Sequence, residues 1–367
     1  MPTKTAGVET SAHARASRPE SAKIDVGILG ATGAVGQQFI ALLGNHPWFR
    51  VTWLAASERS AGKRYGDLTW RLPTELPEDT ARLSVEALKA GAGPQLVFSA
   101  LDSSIAGEAE VEFAAAGHIV VSNSRNHRMD ALVPLLIPEV NPEHLGLLPL
   151  QRKMKGWSGA IVTNPNCAAM PLAIVLAALR TFVPKRVLIT TLQGLSGAGY
   201  PGVASLDATA NVIPFIDGEE QKIETETQKI LGRFVADSVE LHPVIVSATS
   251  TRVPVVNGHT ESVSVEFEKK VTHDEILKAF REFCGEPQKL ELPTAPQPAI
   301  IYHEAANRPQ PRLDVERGGG MVTHVGRLRD CAVLGHKFVL LSHNTIRGAA
   351  GAAILNAELM AAKNILG

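Results

Sequence analysis

The chain has 367 residues, 45% hydrophobic and 20% charged, with 36 basic side chains against 37 acidic ones and a formal charge of −1. That balance leaves no electrostatic footprint for nucleic acid or an anionic membrane, and no apolar run reaches the roughly 20 residues of a membrane span. The length favours two domains over one small core. Three cysteines, Cys167, Cys284 and Cys331, are odd in number and widely spaced. They fit a reducing compartment rather than a disulfide framework, and none sits in a zinc-like pair, so no metal is expected. Residues 1–22 lack the apolar stretch of a secretory signal. They are read as a disordered extension, with organelle targeting as the alternative to a cytoplasmic location.

Order begins at Lys23. "KIDVGILG" reads as a buried parallel strand and leads into "GATGAVGQQFIALLGNHP", a glycine turn followed by a helix closed by Gly44 and Pro47. Gly30 allows the tight turn, Gly33 lets backbone approach a pyrophosphate, and Gly36 lets helix pack closely on strand. Thr32, Ala34 and Val35 complete the turn, and the helix end offers N–H groups to phosphate. The next strand, "FRVTWLAAS", ends at Ser57. An NAD site would carry an acidic residue near there for the ribose hydroxyls. Ser57, Arg59 and Ser60 stand there instead, and Arg59 suits a 2′-phosphate, so NADP is expected over NAD. Glu58 is adjacent, and a solvated basic loop is the bland reading. Further strand–helix–strand alternation through "HIVVSNS" argues for a doubly wound parallel sheet. Beyond the last strand, Arg125, Asn126 and Arg128 offer either an anion site or plain surface solubility, and position alone does not separate the two.

"GAIVTNPNCAAMPLAIVLAALRTF" then passes from a short strand to an apolar helix. Asn164 or Asn166 can cap it, and Pro165 suits a first turn. Cys167 would lie at the helix N-terminus, where the dipole favours thiolate over thiol. Thiol and nicotinamide in one chain point to hydride transfer at a carbon held covalently on sulfur. "TSTRVPVVNGHTESVSVEFE" supplies Arg252 as an anion grip and His259 as an acid or base beside Gly258. Gln193 ends a strand ahead of the Gly-rich loop "LSGAGYPG". Glu219 and Lys222 share a helix face three residues apart, which alone reads as a solvated capping turn.

Taken in order, "GILGATGAVGQQF", "NPNCAAMPL", "LQGLSGAGYPG", "GEEQKIETETQKILG", "RVPVVNGHTESV" and "NTIRGAAGAAILNAE" resemble the aspartate-β-semialdehyde dehydrogenases, most closely their archaeal and fungal branch. The resemblance runs from about Lys23 to the C-terminus. It departs at Ala168, where the family usually has Ser or Thr after the nucleophile. It implies an α/β protein: a Rossmann-type NADP-binding domain over 23–162, completed by a C-terminal helix over 344–367, and an α+β catalytic and dimerisation domain over 163–343 resembling glyceraldehyde-3-phosphate dehydrogenase. By motif, Cys167 is the nucleophile, His259 the acid/base, and Gln193 orients the acyl group. Asn166 belongs to the substrate site, Arg252 binds the α-carboxylate, Glu219 the amino group, and Lys222 with Arg128 the phosphate. Ser196, Gly197, Asn344 and Gly348 join the NADP(H) site, Asn344 at the carboxamide. The implied reaction is reductive dephosphorylation of aspartyl phosphate to aspartate semialdehyde, by a homodimer or homotetramer. A malonyl-CoA reductase keeps nucleophile and cofactor but gives Glu219 no amine to bind. A nonenzymatic NADP-binding protein has no need of Cys167, Gln193, Arg252 and His259 together.

Overall fold

The computed structural model describes residues 22–366; the extension expected over 1–22 falls almost wholly outside them. Strands β1 (Ile24–Leu29), β2 (Phe49–Ala56), β3 (Val85–Ala87), β4 (Leu96–Ser99), β5 (Ile119–Ser122) and β6 (Ala160–Thr163) pair in parallel, in the order β3-β2-β1-β4-β5-β6. Their interiors are apolar on both faces because helices cover both sides, as expected for a doubly wound sheet. The strand order reverses between β1 and β4, and that crevice is where such sheets take ligands.

The helix Gly351–Ala362 returns from the far end of the chain and packs Ala353, Ile354, Leu355 and Ala357 into the same core as Val26, Ile28, Phe39 and Phe98. It is buried all round, and its polar residues are paired: Asn356 with Asn164, and Glu358 with His46 and Thr294. A π-helical turn, Ile346–Ala350, precedes it. Helical pitch is thus widened where Gly348 faces the second domain.

The second sheet is built from β7 (Pro184–Gln193), β10 (Ile245–Arg252), β11 (His259–Phe267), β12 (Ile300–His303), β13 (Thr323–Cys331) and β14 (Gly335–Ser342), in the order β10-β7-β11-β14-β13-β12. A separate hairpin joins β8 (Arg233–Val235) to β9 (Ser238–Glu240). Burial along β7 alternates with period two. Val187 and Ile189 pack with Val263, Val265, Phe338 and Leu340 against the helix Ala169–Ala178, while Leu188 and Leu192 face outward. Register does the positioning. Gln193 at the end of β7 lies opposite Arg252 in β10 and opposite His259 in β11, so three distant sequence positions meet at one sheet end.

Candidate active site

The turn after β6 presents the sulfur. Asn166 Oδ1 accepts from the N–H groups of Ala168 (2.9 Å) and Ala169 (3.1 Å), capping the helix that starts at Ala169. Pro165 therefore lies ahead of the helix and not in its first turn, contrary to expectation. Asn164 does not cap; it donates to Asn123 Oδ1 and the Ala349 carbonyl, tying the turn to the C-terminal segment. Cys167 Sγ lies 3.2 Å from His259 Nε2. His259 Nδ1 accepts the Gly194 N–H at 3.1 Å, which leaves the proton of the neutral imidazole on Nε2, facing sulfur. Two glycines make room for this pair. A Cβ on Gly348 would sit 2.5 Å from Cys167 Cβ, and one on Gly197 would sit 2.9 Å from Arg252 Nη1 and 3.1 Å from His259 Cε1.

The resting pair is neutral. Cys167 opens partly on the cavity, but its sulfur is packed among protein atoms. That burial, followed by the charge of Glu219, pushes the thiol up to about 12. Burial likewise pushes the His259 imidazole down to about 4. The helix dipole expected to favour thiolate is opposed here by burial and by Glu219. The Asn166 side chain already occupies the leading N–H groups of the helix, and a carboxylate stands nearby. Two residues along β11, Glu261 is fully buried, and neither carboxyl oxygen has a hydrogen-bond partner among the described residues. Burial, and next the charge of Glu219, holds its pKa well above the usual carboxylate range.

The helix Glu219–Ile230 turns one charged face toward the site, at spacings of three, seven and ten residues: Glu219, Lys222, Glu226, Lys229. Glu219 is no solvated capping residue. It is buried, and its carboxylate accepts from Asn166 Nδ2 (2.8 Å), Gln193 Nε2 (3.1 Å) and Lys222 Nζ (3.0 Å). Burial raises its pKa, but Lys222 and these donors outweigh burial and leave the carboxyl below its ordinary value. Glu226 and Lys229 went unnoticed in the sequence. Glu226 joins Arg128 Nη1 (3.0 Å) to the backbone N–H of Asn166 (2.6 Å). Lys229 Nζ donates to the carbonyls of Arg128 (2.7 Å), Asp130 (2.7 Å) and Val133 (2.9 Å), holding the loop that carries Arg128, and burial brings its pKa down to about 8. Arg128 is buried, and Arg125 is exposed. Arg252 Nη1 donates to the Gly194 carbonyl (2.8 Å), which leaves the rest of its fork for a ligand.

One cavity of about 850 Å³ connects these groups to the nucleotide end. Of the sequence candidates, Gly30, Thr32, Gly33, Ala34, Val35, Ser57, Arg128, Asn166, Cys167, Gln193, Ser196, Gly197, Glu219, Lys222, Arg252, Asn344 and Gly348 line it. His259 lies behind Cys167, Gly36 beneath the turn, and Arg59 and Ser60 beyond the cavity wall. A dinucleotide fits the residues present. Gly30 has φ +77°, and a Cβ there would come within 2.6 Å of the Ala100 carbonyl oxygen, whereas the Cβ position of Gly33 is nearly open. The helix Ala34–Leu43 has no side chain capping its leading N–H groups. Ser124, Asp217 and Thr345 also line the cavity and were not among the candidates. Asn344, expected at the carboxamide, lines the cavity and also ties loops together: it accepts from Gly258 N–H and donates to Ser196 Oγ, each at 2.8 Å.

Comparison with known proteins bears directly on this arrangement. The family model described as "Semialdehyde dehydrogenase, NAD binding domain" matches residues 25–148, and "Semialdehyde dehydrogenase, dimerisation domain" matches residues 176–347. The aspartate-semialdehyde dehydrogenase of Archaeoglobus fulgidus is 50% identical over 348 residues, covering 94% of this chain and 100% of that one. The Cryptococcus neoformans enzyme of the same name is 46% identical over 359 residues, 94% of this chain and 98% of its own. This chain belongs to the aspartate-semialdehyde dehydrogenase family. A Candida albicans aspartate-semialdehyde dehydrogenase solved with NADP superposes with a TM-score of 0.86 at 41% identity, covering 94% and 99% of the two chains. The Vibrio cholerae aspartate-semialdehyde dehydrogenase II complexed with ASA gives 0.72 at 26% identity, covering 93% and 98%.

Proposed function

We propose that this member of the family catalyses the NADPH-dependent reductive dephosphorylation of L-aspartyl-4-phosphate to L-aspartate-4-semialdehyde, through a thioester on Cys167. The reaction serves biosynthesis of lysine, methionine and threonine. The observation that carries this reading is the Cys167–His259 contact of 3.2 Å at the junction of a dinucleotide cavity and a ring of Arg128, Glu219, Lys222 and Arg252.

The substrate presents a carboxylate, an ammonium and a dianionic phosphate, and this ring offers a counter-charge to each. Arg252 takes the α-carboxylate through its free N–H groups, where a planar fork outperforms an ammonium. Glu219 takes the amino group. Lys222 and Arg128 hold the phosphate while it departs. Sulfur attacks the acyl carbon as the carbon–oxygen bond to phosphate breaks, and the thiol proton leaves on the phosphate. A thiol pushed that high gives up its proton in step with the attack. The tetrahedral oxyanion is met by the Asn166 amide, which has an Nδ2–H beyond the one given to Glu219. The neighbouring Gln193 orients the acyl oxygen. When bound, the reduced nicotinamide supplies hydride to the thioester carbon. As the thiohemiacetal on Cys167 collapses to aldehyde, His259 Nε2–H hydrogen-bonds the departing thiolate, and a proton from solvent restores the thiol.

The family's second domain is a dimerisation domain by description, and the outward residues Leu188, Leu192 and Ile245 on the second sheet supply an apolar face for a homodimer, or a homotetramer built from it. No helix among the described residues is long and apolar enough to cross a membrane, and the cysteine usage supports a cytoplasmic location. The test is NADPH formation from aspartate semialdehyde with NADP, with and without inorganic phosphate, repeated with NAD. Phosphate-dependent turnover favouring NADP is expected. Turnover indifferent to phosphate, or NADPH oxidation supported only by malonyl-CoA, overturns the assignment.

A further inference from the structure

The sequence offers no metal motif, because cysteine spacing was the only cue in it. Folding nevertheless brings three ligands together at the end of the second sheet away from the sulfur. Asp330 in β13 and His336 in β14 are directly paired across the hairpin. His273 opens the helix His273–Glu282, whose start is fixed by the reciprocal Thr272–Glu275 capping box. One ligand atom from each lies within 4.8 Å of the others. His273 Nε2 and Asp330 Oδ1 are already 3.1 Å apart, and the two imidazole rings meet edge to face at 5.5 Å. His273 Nε2 and His336 Nδ1 are shielded from solvent, and apart from the Asp330 contact neither has a hydrogen-bond partner among the described residues. Two occluded nitrogens that converge on one carboxylate, itself 92% exposed, are hard to explain as a solvated surface.

We propose that His273, Asp330 and His336 form a binding site for a divalent transition-metal ion, best suited to Zn²⁺. Two imidazoles and one carboxylate are a zinc donor set, and bonds of about 2.0–2.2 Å place ligand atoms about 3.3 Å apart around a tetrahedral ion. Rotation of the side chains closes the remaining gap. The exposed side of Asp330 leaves a fourth position to water, and a cavity of about 600 Å³ lined by Glu268, Thr272 and His336 opens beside it. The ligands come from two rigid strands and a capped helix end, so the ion would clamp the β13–β14 hairpin to that helix. His336 pairs with Val265 and Ser342 with His259, which separates this site from the catalytic sulfur by six residues of strand, roughly 20 Å. Its role is therefore to stabilise the second domain and not to take part in the chemistry.

The test is Zn²⁺ titration by calorimetry, with unfolding midpoints measured in parallel. Full-length Cys167→Ser protein is used, because the catalytic thiol is itself a zinc ligand. One equivalent of Zn²⁺ is expected to bind and raise the midpoint. Asp330→Asn and His336→Ala, each added to Cys167→Ser, should weaken binding at least about tenfold and abolish the rise, while leaving the metal-free midpoint near that of the parent. His273→Gln serves as the third arm if either fails to fold. Absence of stoichiometric binding, or binding that none of these substitutions weakens, would show that the cluster is an ion pair only and overturn the proposal.

Discussion

The nucleotide end and the sulfur end of the cavity are built on opposite plans. At the first, backbone makes the surface: Gly30 turns with positive φ, Gly33 leaves its Cβ position open, and the helix Ala34–Leu43 presents uncapped N–H groups. At the second, buried side chains do the work. Glu219 and Glu226 together bind Asn166, Gln193, Lys222 and Arg128, and Lys229 carries the loop behind them. A backbone cradle tolerates varied side chains provided its glycines stay. A network of buried charges does not, since removing one member leaves another unpaired at a cost of about 3–5 kcal/mol.

This contrast can be broken first at the sulfur. Cys167→Ser should lower turnover by at least about a thousandfold, because a hydroxyl is a far weaker nucleophile and leaving group, while NADP affinity stays within about twofold. Steady-state kinetics beside fluorescence titration of the cofactor separates the two, and equal losses in both would erase the division between the ends. Glu226→Gln comes next. An amide can still accept from Arg128 but then turns N–H₂ toward the Asn166 N–H, which displaces the nucleophile turn. Turnover should drop about 10- to 100-fold with cofactor affinity unchanged. Arg59→Ala probes the other end: NADP should bind about three- to tenfold more weakly, NAD should be unaffected, and turnover at saturating cofactor should persist.

A last effect, on stability and not on activity, concerns acid. Burial holds His144, His259 and His324 near a pKa of about 4 in the fold, against about 6.5 in the unfolded chain. Between those values the unfolded chain binds more protons, so stability is full above pH 6.5 and falls as pH drops toward 4. The slope is about 1.4 kcal/mol per pH unit for each residue. Urea unfolding of wild type and His324→Asn across that window should differ in slope by about one such increment. Parallel slopes would mean that His324 titrates normally in the fold.

The same contrast explains what could be read in advance. Glycine spacing is local, so the strand, turn and helix from Lys23 to Gly44 were legible, as was the strand–turn–helix that carries Cys167. The partners of the charged helix were not. Glu226 meets Asn166 from 60 residues away and Arg128 from 98 away, and no short window contains either pair. A cue did exist: Glu219, Lys222, Glu226 and Lys229 share one helical face, interleaved with the buried Ile223, Thr227 and Ile230. A stripe of charge beside an apolar stripe implies buried, paired charge as readily as a solvated surface. What opposes ionisation of Cys167 is hidden from the sequence for a related reason. The dipole is visible from sequence, whereas the Asn166 cap, the buried sulfur and the nearby Glu219 appear only on folding.

The most direct test of covalent catalysis is intact-protein and peptide mass spectrometry of the enzyme mixed with aspartate semialdehyde and NADP in phosphate-free buffer. With no phosphate to release it, an aspartyl thioester should accumulate and map to Cys167, then vanish on adding phosphate. Unmodified Cys167 in an enzyme that reduces NADP under the same conditions would contradict the account.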